Sequence, residues 1–272
     1  MASPIFKGLV RGGLAKGPLG AALESSSSTS VVVGGSGGIG LAMVSELLRR
    51  RRGRVVVASR SPETSARLME LQRQHPGRLI TTPCDLTDKA SIQTMAGAVQ
   101  AGGDGRIDLL LNVAGVLHDE DAGIRPERSL RAIDAERMAR VMQINAIGPV
   151  LVTQALQAQL FKGAIVGNLS ARVGSISDNG LGGWWSYRMS KAALNMATRN
   201  MAIEMRRKGI IAVALHPGTT DTALSEPFQK NVRPEKLFTP EYTADALLNV
   251  LEHVELEDSG GFFAFDGSSI EY

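Results

Sequence analysis

Short uninterrupted apolar runs alternate along this chain with stretches of helical spacing. Val31–Val33 is a β-branched run ending in glycines. Leu41–Arg52 follows it, with Met43, Val44, Leu47 and Leu48 on one helical face. Arg54–Ser59 holds Val55, Val56, Val57 and Ala58 and predicts a second strand. Pro62–Gln74 predicts a helix with Leu68 and Leu71 facing inward, stopped by His75-Pro76-Gly77. Strands at Arg78–Pro83 and Asp108–Val113 flank a helix at Ser91–Ala101. Asp134–Leu160 predicts one long helix, Gly163–Leu169 a fifth strand and Ser186–Lys208 a second long helix. Ile210–Leu215, a helix at Thr243–Glu252 and a strand at Gly261–Asp266 complete the pattern. Strands that are apolar throughout belong to parallel sheets covered on both sides. The expected fold is therefore α/β: a single-domain, doubly wound parallel β-sheet with helices on both faces, spanning 30–272.

Residues 1–29 do not join this pattern. They carry Lys7, Arg11 and Lys16 against one acid, Glu24, and end in a serine run from Ser25 to Ser28. A basic, acid-poor, serine-rich start has the composition of a transit peptide, and a plain disordered tail is the competing reading. The first places the protein in a chloroplast or mitochondrion, the second in the cytoplasm. Composition narrows the remaining classes. One cysteine, Cys84, excludes an intrachain disulfide and a cysteine metal cage, and the four histidines have no ligand spacing. A net charge of +3 with 4% aromatic residues gives no ground for a nucleic-acid partner. No apolar run approaches the length of a membrane helix.

The first strand–helix turn reads Gly34-Gly-Ser36-Gly-Gly38-Ile39-Gly40. Gly34 permits the tight turn, Gly38 lets backbone approach a pyrophosphate, and Gly40 lets the helix pack against the strand. The helix N-terminus supplies donors and positive potential. A carboxylate at the end of the second strand would select NAD through its ribose hydroxyl. Here that strand ends in Ser59-Arg60, and an arginine fork there suits a 2′-phosphate. NADP is the expected cofactor and NAD the alternative. The run Arg49–Arg52 sits at a helix end, where cations complement the dipole, and it is assigned no function.

Tyr187 and Lys191 stand four apart on the second long helix, hence on one face. A nearby ammonium lowers a phenol's pKa and fits it for proton transfer at a carbonyl oxygen. Together with Asp85-Leu86, Asn112-Val113-Ala114-Gly115, Asn145-Ala146 and Pro217-Gly218, these motifs resemble the short-chain dehydrogenase/reductase family. Ser170–Asn179, the Gly-Gly-Trp-Trp before Ser186 and Gly261–Gly267 are similar to its C-factor-like, Sniffer-like carbonyl reductase branch.

The resemblance implies an NADP-dependent oxidoreductase that moves a hydride between the nicotinamide and a carbonyl or secondary alcohol. It makes Tyr187 the acid/base, with Lys191 tuning it and holding the nicotinamide ribose. Asn145 anchors a water that relays protons to Lys191. Gly34, Ser36, Gly38, Ile39 and Gly40 hold the phosphates, and Ser59 and Arg60 the 2′-phosphate. Asp85 and Leu86 sit at the adenine, and Asn112, Ala114 and Gly115 at the adenosine ribose. Pro217, Gly218, Thr220 and Thr222 lie at the carboxamide. The family's catalytic serine position carries Ala171 here, so Ser170 or Ser175 is left to bond the carbonyl, Ser170 being preferred. His118–Arg131, Ala223–Pro240 and the tryptophans Trp184 and Trp185 are expected to shape the substrate pocket. A homodimer or homotetramer through the two long helices is implied. The alternative function is a dinucleotide-binding signalling or assembly protein with vestigial catalysis.

Overall fold

The computed structural model describes residues 27–101 and 105–272. The leader composition noted above falls largely on residues outside this range. The fold itself starts earlier than residue 30. Ser28 and Thr29 are buried, and the Ser28 carbonyl accepts the Arg54 amide at 2.8 Å.

Seven strands form one parallel sheet: β1 (Thr29–Val33), β2 (Arg54–Ser59), β3 (Leu79–Pro83), β4 (Ile107–Asn112), β5 (Leu160–Leu169), β6 (Ile211–His216) and β9 (Phe262–Ala264). Their order is β3-β2-β1-β4-β5-β6-β9. A second, two-stranded sheet pairs β7 (Thr219–Thr220) with β8 (Leu237–Phe238). The large sheet is covered on both sides because alternate side chains of each strand enter different cores. Val32, Val55, Val57, Leu109 and Leu111 meet helices α1 (Gly38–Arg50) and α7 (Pro240–His253). Val31, Val33, Val56, Leu110 and Val166 meet α3 (Lys89–Ala101), α5 (Gly148–Leu156) and α6 (Trp185–Met205). The strand order reverses between β1 and β4, and ligands of open α/β sheets bind beyond the carboxyl ends at such a switch.

Several boundaries differ from the periodic reading, each for a local reason. The helix expected over Pro62–Gln74 is a short turn followed by α2 (Ala66–Gln74), which Ser65 caps by accepting the Leu68 amide. α1 begins at Gly38, so half of the glycine turn is already helical. The stretch expected as one helix over Asp134–Leu160 is three pieces. α4 (Ala135–Met142) runs into a π-helical segment, Gln143–Ile147, before α5 begins, and β5 starts at Leu160.

The arginine run is tied into the structure more strongly than by a helix dipole. Arg51 is buried and pairs with buried Glu252 on α7, while Arg50 reaches Glu252 at 3.1 Å and Asn249 at 2.9 Å. The run therefore joins α1 to α7.

Candidate active site

β1 ends in Gly34, whose φ of +91° suits glycine; a Cβ there would stand 2.5 Å from the Ala114 nitrogen. At Gly40 a Cβ would lie 2.1 Å from the Gly34 carbonyl oxygen. This turn is thus packed backbone to backbone against the end of β4. Ser36 is half-buried in the turn, and Ile39 packs against the core below it. Gly38 is exposed, and the space where its Cβ would stand is 3.3 Å from the Thr222 methyl. The glycine turn and the segment after Pro217-Gly218 therefore lie within close reach of each other.

At the tip of β2, Ser59 is buried and its hydroxyl has no hydrogen-bond partner among the described residues, while Arg60 is exposed beside it. An orphaned hydroxyl next to a free guanidinium fits a phosphate ester on the adenosine ribose. Asp85 accepts the Thr87 amide at 2.8 Å and the Thr87 hydroxyl at 2.7 Å. Those bonds, with the charges of Arg60 and Arg140 nearby, hold its carboxyl below the usual range. It caps the turn that follows β3. Leu86 is buried, with its carbonyl accepting from Gln143 at 3.4 Å.

Asn112 differs from its expected role. Its side chain enters the helix layer and donates to Asn168 at 2.8 Å; Asn168 in turn donates to Thr198 on α6 at 2.9 Å. Just beyond it, Ala114 adjoins the glycine turn and Gly115 adjoins Lys191. Thr220 also turns inward, bonded to Thr243 of α7 at 2.9 Å, which leaves Thr222 as the threonine at the cleft.

α6 carries the reactive pair. Lys191 is buried, donates to the Leu169 carbonyl at 2.8 Å, and its Nζ lies 5.6 Å from the Tyr187 ring centre. Burial lowers the Lys191 pKa to about 8 and raises that of Tyr187. The tyrosine shift runs opposite to the expected lowering: desolvation outweighs an ammonium that is bonded elsewhere. The Tyr187 hydroxyl has no hydrogen-bond partner among the described residues. Asn145, in the π segment, accepts the Val116 amide at 2.7 Å and donates to the Val116 carbonyl at 2.8 Å and Ser190 at 3.0 Å. It clips the end of β4 to α6. A Cβ on Gly115 would stand 3.3 Å from Asn145 Oδ1 and 3.4 Å from Lys191 Nζ, so these three groups adjoin.

Both serine candidates are engaged elsewhere. Ser170 donates to Asn195 of α6 at 2.6 Å, and Ser175 donates to the Glu271 carbonyl. His118 reaches the Ala223 carbonyl at 3.0 Å, and Phe228 packs tilted against Trp184 at 5.0 Å between centroids. Trp184 in turn meets the Tyr187 ring edge-on at 6.3 Å. The loops after β4 and β6 thus converge on Tyr187 through Trp184; Trp185 begins the helix and is 38% exposed. Burial lowers the His216 pKa to about 4, and its Nδ1 accepts the Arg172 amide at 3.3 Å.

The short chain dehydrogenase family matches residues 28–233. The chain belongs to that family. It is therefore a member of an oxidoreductase family, with the Rossmann-type sheet described above. Among curated relatives, it is 36% identical to C-signal of Myxococcus xanthus over 62% of this chain and 94% of that protein. It is 32% identical to 1-hydroxy-2-glutathionyl-2-methyl-3-butene dehydrogenase of Rhodococcus sp. over 69% of this chain and 78% of that protein. Among solved structures, NADPH-bound carbonyl reductase from chicken fatty liver superposes with a TM-score of 0.79 at 31% identity. That match covers 90% of this chain and 99% of that one. The carbonyl reductase Sniffer of Drosophila melanogaster shares the fold, with a TM-score of 0.80 at 22% identity over 91% of this chain and 100% of that one. Among the described residues, no helix is long and apolar enough to cross a membrane.

Glu127, Ser190, Asn168 and Asn195 went unread in the sequence. Each acts through a partner more than twenty residues away, apart from the local bond of Ser190 to the Tyr187 carbonyl at 2.8 Å.

Proposed function

We propose that this protein is an NADP-dependent carbonyl reductase, reversible toward secondary alcohols, in which Tyr187 delivers the proton. The observation that carries this reading is the adjacency of Lys191, Asn145 and Gly115, with Lys191 Nζ 5.6 Å from the ring of Tyr187, whose hydroxyl has no partner among the described residues. The dinucleotide, when bound, supplies the hydride. Ser59 and Arg60 hold its 2′-phosphate, and the Gly34–Gly40 turn its pyrophosphate. Gly115, Lys191 and Thr222 line the nicotinamide half. Trp184 and Phe228 shield the carbonyl from water. Because Ser170 and Ser175 donate elsewhere, polarisation of the carbonyl falls to Tyr187. The test is a panel of carbonyl compounds, followed by loss of the reduced dinucleotide's absorbance. Tight NADPH binding with no reduction across the panel would favour the signalling reading, for which the likeness to C-signal and the alanine at position 171 are the grounds.

Cofactor choice has its own test. NADPH should bind more tightly than NADH, and Arg60→Ala should remove most of the difference. A charge-assisted hydrogen bond is worth about 1.5–3 kcal/mol, so calorimetric titration should show a roughly tenfold to hundredfold loss for NADPH alone. Equal affinities in the unmutated protein would reject the assignment.

The depressed Lys191 pKa predicts a pH dependence. The ammonium is the form that can hold a ribose hydroxyl and favour the phenolate, and it is lost as pH rises through about 8. NADPH affinity should weaken across that pH, and Lys191→Met should bind more weakly with no inflection there. An inflection that persists in Lys191→Met would assign it to another group.

The association through the long helices is proposed on the outward face of α6. Leu194 and Met201 are buried in the core. Met189, Met196 and Ile203, seven residues apart along α6, are 46–64% exposed. They form a stripe suited to a second copy of the chain.

A further inference from the structure

The helix that carries Tyr187 does not cap itself. Its N-cap residue, Trp184, lies in the left-handed region at φ 50°, has a side chain that accepts no hydrogen bond, and is followed by no acid in the first turn. The cap comes from 59 residues upstream. Glu127, 8% exposed in the loop after β4, accepts the Ser186 amide on Oε2 at 3.1 Å and the Ser186 hydroxyl on Oε1. Its own carbonyl accepts the Trp184 amide at 2.6 Å. A buried carboxylate at a helix N-terminus satisfies orphan amides and complements the dipole. Arg125, Asp134 and Arg137 line the same small cavity as Glu127 and Tyr187.

The bonded residue, Ser186, immediately precedes Tyr187, so a fault in the cap moves the phenol first. Misplacement of a reacting group by about 1 Å can cost a hundredfold in rate. We propose that Glu127 is the positioning residue for Tyr187. It fixes the phenol's place on the helix and locks the substrate-side loop to the proton donor, so that both reach the carbonyl as one unit. The inference rests on the reductase reading, because it presumes that Tyr187 is the acid.

Three variants of the full chain test it: Glu127→Ala, the isosteric Glu127→Gln and Ser186→Ala. Two measurements are made on each. Amide exchange in the peptide across residues 184–189 should quicken in Glu127→Ala, with exchange in the glycine turn unchanged. In steady state, Glu127→Ala should lose roughly tenfold to hundredfold in kcat. Its NADPH affinity should stay within about twofold, since the phosphate turn and Arg60 lie on other elements. Glu127→Gln, which keeps an acceptor for the Ser186 amide, should recover most of kcat. Ser186→Ala should be intermediate, and the Glu127→Ala/Ser186→Ala double variant no worse than Glu127→Ala. Unchanged exchange overturns the proposal whatever the kinetics. So does a fall of kcat, NADPH affinity and melting temperature together, which would mark a general loss of stability. Tyr187→Phe in the same assay keeps the two ideas apart. If it retains wild-type turnover the reductase reading fails, whereas an intact Tyr187 effect with an unaltered Glu127→Ala rejects only the positioning role.

Discussion

Tyr187→Phe should lower kcat by a factor of 10² to 10⁴ while NADPH binding and the melting temperature stay near those of the unmutated protein. The substitution removes one oxygen from a ring that is 9% exposed and packed edge-on against Trp184, so the packing survives. The lost oxygen has no partner among the described residues, so none of their buried donors or acceptors is stranded. What goes is the positioned acid, and groups of that kind contribute 10²–10⁴ in rate. The serines serve as controls. Ser170→Ala breaks a bond to Asn195 and Ser175→Ala a bond to Glu271, so each should disturb stability more than turnover. A large, specific loss of kcat in Ser170→Ala would return that serine to the carbonyl. Near-wild-type turnover in Tyr187→Phe would remove the tyrosine mechanism altogether.

The largest effect on stability should come from a residue far from the cleft. Glu252→Leu leaves the Arg51 guanidinium, 5% exposed, without its carboxylate. Arg50 keeps Glu46 and Asp245, so the damage falls on Arg51. Removing one partner of a buried ion pair costs about 3–5 kcal/mol, because the remaining charge is stranded in a poor solvent. Adding Arg51→Met removes that charge and should restore most of the loss. Denaturant midpoints for the two variants decide the matter. A double variant as unstable as Glu252→Leu would show that the lost packing, and not the stranded charge, carries the cost.

These two predictions also mark the limit of what the chain discloses before it folds. The buried strands were legible because a parallel sheet covered on both faces favours apolar residues at successive positions, as in Val55-Val56-Val57-Ala58. The glycine turn and the Tyr187–Lys191 pair were legible because their geometry is set within seven residues or fewer. Glu252 is 201 residues from Arg51, and nothing near either residue announces the other. The same holds for Ser175, whose partner lies 96 residues on, and for Glu127. The sign of the Tyr187 shift was misread for a related reason: helical spacing puts Lys191 nearby, but only the fold directs its ammonium to Leu169 and dries the phenol. The break in the Asp134–Leu160 helix was invisible because Gln143-Ile-Asn-Ala-Ile147 is ordinary helix composition. The π turn is held by the bonds of Asn145 to Val116 and Ser190.

That break has a consequence for how the chain length here can vary. The Gly148 amide bonds to the Gln143 carbonyl, five residues back, so the segment holds one residue more than an unbroken α-helix would use. Deleting any one residue between Met142 and Gly148 would let the helix close up. The flanking helices would keep their phase, because five π residues turn the chain about as far as four α residues, so Val152 and Leu156 would stay in the core while Asn145 lost the bulge that aims it at Val116 and Ser190. The surplus residue thus works as an aiming device: it re-points one side chain without turning the helix that follows. A single-residue deletion at this point changes what Asn145 reaches before it changes how α5 packs.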